Sequence, residues 1–327
     1  MRPRRRLLAA LLAAAFIHAL PATAADAWPD KPVTLVVPYA AGGGLDTFVR
    51  ALAPKLSLRW KQPVVIDNRA GGTEVIAAAS VIRARPDGYT LFMATDVALE
   101  TNPFLFSKLP YSPLNDFTLI TRLVRGSLVY VVRADSPVRT IQQLVTLGKE
   151  QPGKISYGST GPGGMPHIAM NWFATVSGNT PFLHVPYRGS APAMQDLLAG
   201  QVVFSAGPLS FMEPFIKEGR VRPLAVTAAT RLKGLPDVPT LQELGYADTV
   251  NEFSFAVVGP PKMPAELASR IAADMGAAVN DPDFLARQVE PFGFVVSTET
   301  PPEFTRYLTS VQDKVKARVK AANVQLD

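Results

Sequence analysis

The stretch from Val33 to Arg50, VTLVVPYAAGGGLDTFVR, reads as a strand, a bare loop and the start of a helix. Val33–Val37 is a short apolar run rich in β-branched residues, which is typical of a buried strand. Pro38 ends the strand because it has no N–H group for the sheet ladder. Ala40–Gly44 carries almost no side chain, and apolar residues recur at helical spacing from Leu45 onward. A bare loop before a helix exposes backbone N–H groups that favour an anion.

A second stretch of the same design lies in the other half of the chain. Lys154–Tyr157 predicts a strand, Gly158–Gly164 reads GSTGPGG, and helical spacing follows from Ile168. Either stretch alone is also explained as a tight turn that needs glycine for its backbone angles. Two such turns in different halves of one chain favour a pair of anion-binding loops. Neither has the glycine spacing of a dinucleotide or P-loop site.

The N-terminus predicts a signal peptide. A basic segment, Arg2 to Arg6, precedes the apolar stretch Leu7–Leu20 and a small-residue cleavage site at Ala22–Ala24. We therefore expect residues 1–24 to be removed and the mature protein to be periplasmic. Without these four arginines the formal charge falls from +6 to +2. The mature chain has no basic tail, which argues against nucleic acid as a partner.

Alternating strands and helices predict an α/β fold with βαβ units. We expect two domains, each a sheet flanked by helices, joined by a hinge of two strands. Domain 1 is predicted to be discontinuous, with residues 25–126 plus 252–327, and domain 2 to span residues 127–251. Ligands of open α/β sheets lie outside the carboxyl ends of the strands, where both glycine-rich turns are placed. The finer pattern predicts separate strands over 117–124 and 128–133, and helices over 74–84 and 302–320.

Catalytic and metal chemistry is weakly indicated. The mature chain has two histidines, His167 and His184, which lack the i, i+4 spacing of a helical metal site, and it has no cysteine. We expect no metal and no cofactor. The segment around Ser159 is not a GxSxG elbow, and spacing alone does not support a Ser159–His167 dyad completed by Asp46 or Asp96. We therefore expect no catalytic residue.

Two further side chains have open roles. His167 lies early in its predicted helix and either donates to a ligand carboxylate or orients the loop; a capping or core histidine is the structural alternative. Tyr187 ends its predicted strand, where its phenol either enters a cleft or covers the turn.

Taken in order, a set of motifs resembles the tripartite tricarboxylate receptor family, also called the Bug family of extracytoplasmic solute receptors. The resemblance covers essentially the whole mature chain. The motifs are PYAAGGGLD, QPVVIDNRAG, PDGYTL, NPFLFSKLPYSPLNDF, ISYGSTGPGG, HVPYRGSAPAMQDLLAGQV and LPDVPTLQELG.

The resemblance implies a non-enzymatic, two-domain periplasmic binding protein with a hinge. It implies capture of a small organic acid or related molecule and delivery to an integral-membrane permease, and we expect the receptor to be a monomer. A receptor for a membrane sensor and a hydrolase using Ser159 are the alternative functions. The ligand-binding positions carried over or added are Pro38, Tyr39, Ala41, Gly42, Gly43, Asp46, Asp96, Ser159, Thr160, Gly161, Gly163, Gly164, His167, Tyr187 and Ser205.

The chain departs from the pattern of the family at several positions, among them Ala41, where proline is common, and Ser205, in a segment that often contains Asp-Asn. Two of the departures add a carboxylate. Glu74 stands in a turn that is usually richer in glycine, and Asp96 stands where a small hydroxyl residue is common. If they face the cleft, they repel an anion and favour an amino, amide or singly charged ligand. If they point to solvent or cap helices, they have no part in binding.

Overall fold

The computed structural model describes residues 28–187 and 189–326, so the predicted signal peptide lies outside the described residues. The fold is α/β, as the sequence predicts. Among the described residues, ten strands form one hydrogen-bonded sheet: β1 (Val33–Val37), β2 (Val64–Asn68), β3 (Thr90–Thr95), β4 (Thr118–Arg133), β5 (Ser156–Ser159), β6 (Leu183–Pro186), β7 (Phe204–Pro208), β8 (Val221–Val226), β9 (Glu252–Gly259) and β10 (Val295–Val296). Eight of them are paired in the order β2-β1-β3-β9-β4-β7-β5-β6, and β8 and β10 also pair with β4. Within the described part of the chain, no helix has the length and apolar character that spanning a membrane requires.

The first part of the sheet begins with three parallel strands that are joined by helices. Alternate residues of these strands face opposite sides, so that Leu35 and Leu91 enter one core and Val36 and Phe92 the other. Both faces are therefore covered by helices, as a parallel sheet requires. The elements are β1 (Val33–Val37), α1 (Gly44–Trp60), β2 (Val64–Asn68), α2 (Val75–Ile82), β3 (Thr90–Thr95) and the short α3 (Asn102–Leu105).

A single long strand, β4 (Thr118–Arg133), carries the chain from the first core to the second. Its first part pairs with β9 (Glu252–Gly259) and its second part with β7 and β8. The prediction of two separate strands here is wrong. Gly126 lies in the gap between the two predicted strands, and a Cβ on it would lie 2.5 Å from Phe253 Cζ and 2.8 Å from Phe294 Cδ1. The glycine makes room for two aromatic rings inside a continuous strand.

The second part of the sheet has its own two cores. Leu128, Tyr130 and Val132 of β4 face one, and Val129 and Val131 face the other. β5 runs parallel to β6 and β7, while β7 and β8 run antiparallel to β4. The elements are α4 (Ile141–Glu150), β5 (Ser156–Ser159), α5 (Met165–Val176), β6 (Leu183–Pro186), α6 (Ser190–Leu198), β7 (Phe204–Pro208), α7 (Leu209–Lys217) and β8 (Val221–Val226).

The end of the chain returns along β9 and covers both parts of the sheet. The prediction of one helix over 302–320 is wrong, because the structure has two. Phe304 and Leu308 of the first helix join the core of the first sheet, whereas Val319 of the second packs with Leu105 and Ile168. The two helices divide at Val311 because they pack on different surfaces. The elements are α8 (Ala265–Val279), α9 (Pro282–Phe284), β10 (Val295–Val296), α10 (Pro301–Ser310) and α11 (Gln312–Ala322).

Candidate ligand-binding site

The first glycine-rich turn is held by the buried carboxylate of Asp46, in the first turn of α1. Its Oδ2 accepts hydrogen bonds from Gly42 N at 2.9 Å and from Arg50 Nε at 2.7 Å. Its Oδ1 accepts from Asn68 Nδ2 at 3.0 Å. Burial alone raises the pKa of Asp46, but these hydrogen bonds outweigh it and hold the pKa below its ordinary value. Asp46 therefore orders the loop from behind and stays ionised at neutral pH.

The outer side of this turn is bare. Pro38 is buried where the strand ends, whereas Ala41 and Gly42 are exposed and Gly43 is half-buried. The first N–H groups of α1, which begins at Gly44, have no acceptor within the helix. These groups carry the positive end of the helix dipole, so the turn offers a site for negative charge.

The second glycine-rich turn is fixed by two imidazoles. Ser159 Oγ accepts from Gly161 N at 3.1 Å and lies 2.6 Å from His184 Nε2. His167 Nδ1 accepts from Gly163 N at 3.1 Å. Gly161 and Gly163 have φ of +123° and +74°, which side chains rarely permit. The turn ends at Gly164, where α5 begins.

The two imidazoles stack under this turn. The His167 and His184 rings lie 3.8 Å apart at 9°, and the Tyr157 ring lies 5.0 Å from His184. Burial and the neighbouring His184 lower the pKa of His167 to about 4, and burial lowers the pKa of His184. Both are therefore neutral at pH 7. Of the roles left open by the sequence, the structure gives His167 that of orienting the loop.

The Ser159–His167 dyad imagined from the sequence is not formed. His184, not His167, lies against Ser159. The carboxylate of Asp46, behind the first glycine-rich turn, binds Arg50 of α1. Asp96 Oδ1 accepts from Ser254 N at 3.3 Å. No described carboxylate completes a triad at this serine.

The two halves of the fold meet beside these turns. A Cβ added to Gly44 would lie 3.5 Å from Ser210 Oγ, so the N-terminus of α1 lies close to the first turn of α7. The next residues of α7 line a pocket shared with the second glycine-rich turn. Sequence analysis missed the α7 residues, although they directly follow the carboxyl end of β7. The lining includes Ser159, Thr160, Ser190, Ser205, Phe211 and Met212.

Two predicted residues near the second glycine-rich turn have hydroxyl groups that are already engaged. Ser205 Oγ donates to Gly158 O at 2.8 Å and is buried. Tyr187 Oη donates to Asp196 Oδ2 at 2.6 Å, and burial together with Asp196 raises the pKa of Tyr187 to about 12. The Tyr187 ring lies against Gly158, which agrees with the interpretation that it covers the turn.

Glu74 and Asp96 are buried near the carboxyl end of β3, so the alternative that their side chains point to solvent is wrong. Glu74 does stand at the start of α2, but neither side chain makes a capping hydrogen bond. Glu74 Oε1 accepts from the Tyr39 hydroxyl and, at 2.5 Å, from Thr95 Oγ1. Burial raises the pKa of Glu74. Burial and the nearby carboxylates of Glu100 and Glu74 raise the pKa of Asp96. The burial comes from tertiary packing, which the local sequence does not encode.

A buried charge network lies below these residues. Tyr307 Oη donates to Glu100 Oε1 at 3.2 Å, and the Arg122 guanidinium lies 3.4 Å from the centre of the Tyr307 ring while pairing with Glu299. Burial raises the pKa of Glu100 to about 7.

Among the described residues, no group of three or more His, Cys, Asp or Glu side chains is arranged to hold a metal ion.

Two parts of one sheet that are joined through the long strand β4, each with a glycine-rich turn that leads into a helix, define a two-domain α/β binding protein. A profile of the tripartite tricarboxylate transporter family receptor matches residues 48–324. The chain belongs to that family, as the resemblance in its sequence predicts. Members of the family are periplasmic solute-binding receptors and are not enzymes.

Individual relatives agree in sequence and structure. The UPF0065 protein in the tcbD-tcbE intergenic region of Pseudomonas sp. (strain P51) is 36% identical over 281 residues, 86% of this chain and 83% of that protein. The R. palustris protein Rpa4515, solved with adipate, is 30% identical with a TM-score of 0.85, over 91% of this chain and 99% of that one. The periplasmic binding protein BugD is 29% identical with a TM-score of 0.83, over the same shares.

Proposed function

We propose that this protein captures a small organic acid in the cleft between its two domains and delivers it to a tripartite tricarboxylate-type membrane permease. The predicted signal peptide, residues 1–24, would direct it to the periplasm. The domains would be residues 25–126 plus 252–327 and residues 127–251, closing about β4 and β9 as a monomer.

One observation carries this proposal. The N-terminus of α1 lies close to Ser210 at the start of α7, and the following residues of α7 line the same pocket as Ser159 and Thr160. A ligand that lies in this pocket contacts the second turn, and Ser210 lies between the pocket and the start of α1. Each turn precedes a helix, whose first backbone N–H groups have no acceptor within the helix and suit a carboxylate. The solved relative Rpa4515 with adipate supports an organic acid as the ligand class.

The test is titration calorimetry on protein refolded from denaturant, which removes carried-over ligand. The panel is a series of mono-, di- and tricarboxylates that includes adipate. Saturable binding of at least one acid is the expected result. The absence of binding by every acid in the panel would contradict the proposal.

A charge-reversal variant connects that binding to the first turn. Gly43 is the N-cap of α1 and has extended backbone angles, and a Cβ on it would contact only Ala40 O at 3.6 Å. Gly43→Asp therefore folds, and aspartate is a favoured N-cap. Its carboxylate occupies the helix end and repels the ligand, so we expect affinity to fall at least about tenfold.

Gly245→Asp is the charge-matched control. Gly245 is exposed, has φ of +89° and has open space around its Cβ position. Aspartate tolerates such a conformation better than most residues. This variant adds the same charge away from the cleft and should bind the acid as the wild type does. Equal affinity in the Gly43 and Gly245 variants would exclude the first turn from the site.

A further inference from the structure

We propose that the cleft selects an organic acid whose second polar end is a hydrogen-bond donor, such as a carboxamide or an ammonium group, and that Tyr39 and Glu74 set this preference. The inference rests on the proposed function, since it concerns the ligand of the same cleft. It goes further by assigning the two ends of the ligand different chemistry.

Of the residues Tyr39, Glu74 and Thr95, which lie together at one side of the first glycine-rich turn, Tyr39 is the one exposed to a ligand. It follows Pro38 in the first glycine-rich turn, and 38% of its surface is exposed. Its hydroxyl donates to Glu74 Oε1. A phenol has one hydrogen, so the hydroxyl has only its lone pairs left for a ligand. Burial and the Glu74 carboxylate also raise the pKa of Tyr39, so the phenol keeps its proton at physiological pH.

Thr95 next to it is oriented in the same way. Thr95 Oγ1 donates to Glu74 Oε1 at 2.5 Å and accepts from Val97 N at 3.1 Å. The Tyr39 and Thr95 oxygens lie 3.5 Å apart. Both hydroxyl hydrogens therefore point at one buried carboxylate, and the oxygens turn their acceptor side away from it.

The backbone holds Glu74 in this position with unfavourable dihedral angles. Thr73 and Glu74 have φ of +50° and +72°, in the left-handed region that residues other than glycine seldom occupy. Asn102 Nδ2 donates to Thr73 O at 2.8 Å and fixes the bend. Two consecutive strained residues that aim a carboxylate inward indicate a functional constraint at this position.

The two buried acids beside these hydroxyl groups act in the same direction. Glu74, which directly precedes α2, is 2% exposed, and Asp96, which follows the last residue of β3, is 7% exposed. A second ligand carboxylate at Tyr39 would meet lone pairs backed by these acids, and would be left without donors in a partly desolvated site. An amide or ammonium group would donate to Tyr39 there. The carboxylate of the ligand is left to the helix N-termini.

The test compares acids of equal chain length by calorimetry: adipate, its half-amide adipamate, and 6-aminohexanoate, with the corresponding glutarate series. We expect the tightest half-amide or amino acid to bind at least about tenfold more tightly than the diacid of the same length. Equal or tighter binding of the diacid would overturn this inference and leave the proposed function standing. Binding of none of these compounds or of the wider acid panel would overturn both.

Two variants test the assigned residues. Tyr39→Phe keeps the ring and removes the acceptor, and Glu74→Gln keeps the shape and removes the charge. Each should reduce the preference for the donor-bearing acid over the diacid by about tenfold. Tyr89→Phe is the matched control, because Tyr89 Oη donates to Asp30 Oδ1 at 2.5 Å in an equivalent pair outside the cleft. Wild-type preference in both folded cleft variants would overturn the assignment.

Discussion

Replacing Asp46 by asparagine tests how the first glycine-rich turn is ordered. The carboxylate receives hydrogen bonds from Gly42 N, Arg50 Nε and Asn68 Nδ2. An asparagine of the same shape has one acceptor oxygen, and its NH₂ group would face a donor in either orientation. Hydrogen bonds to charged groups contribute about 1.5–3 kcal/mol each. Because Arg50 is half exposed, we expect a loss near the low end, about 2 kcal/mol.

The assay is urea denaturation of wild type and Asp46→Asn as a function of pH. The folded state lowers the pKa of Asp46, so its contribution is complete above the unfolded pKa of about 3.9 and is lost as pH falls through the folded pKa. The stability gap should therefore be constant near neutrality and narrow below about pH 4. Asp283→Asn, at an exposed ion pair, is the control and should change little. Equal stability of Asp46→Asn and wild type at pH 7 would show that the hydrogen bonds of the Asp46 carboxylate do not stabilise the first turn.

Two further predictions concern the hinge strand and the second turn. Gly126→Ala forces a methyl group into Phe253 and Phe294 and should lower the free energy of unfolding, measured by chemical denaturation, by about 1–3 kcal/mol. Ser127→Ala, which removes a hydroxyl without a described partner, is the control and should not lower it. Equal effects of the two substitutions would contradict this packing. His167 is neutral when folded, so stability should fall between about pH 6.5 and 4 as the unfolded chain takes up the proton. His167→Asn should flatten that slope, and an unchanged slope would assign it to other groups.

Local patterns predicted the parts of the fold that depend on local physics. Val33–Val37 and Thr90–Thr95 are buried strands because their apolar residues fill both faces of a parallel sheet. The prediction of separate strands over 117–124 and 128–133 failed around Gly126, because the role of this glycine is set by Phe253 and Phe294, which lie far along the chain. A glycine that makes room for a ring has the same local signature as one that ends a strand.

The features of the site also divide into those set by local sequence and those set by contacts between distant segments. Both glycine-rich turns were predictable because loop composition and helix start are local features. The partner of Ser159 was not, since His184 reaches it only through the pairing of β5 with β6. The burial of Glu74 likewise depends on Tyr39 and Thr95 converging from two other segments. Contacts between segments decide which polar atoms a ligand can meet.

The central claim is that an acid is held by the two glycine-rich turns, and the most direct test is a crystal structure of the refolded protein with the tightest-binding acid. We expect a carboxylate in the pocket beside Ser159 and Thr160, with oxygens about 2.7–3.2 Å from backbone N–H groups of the two turns. An acid bound elsewhere on the protein, or held in the cleft without contact to either turn, would contradict it.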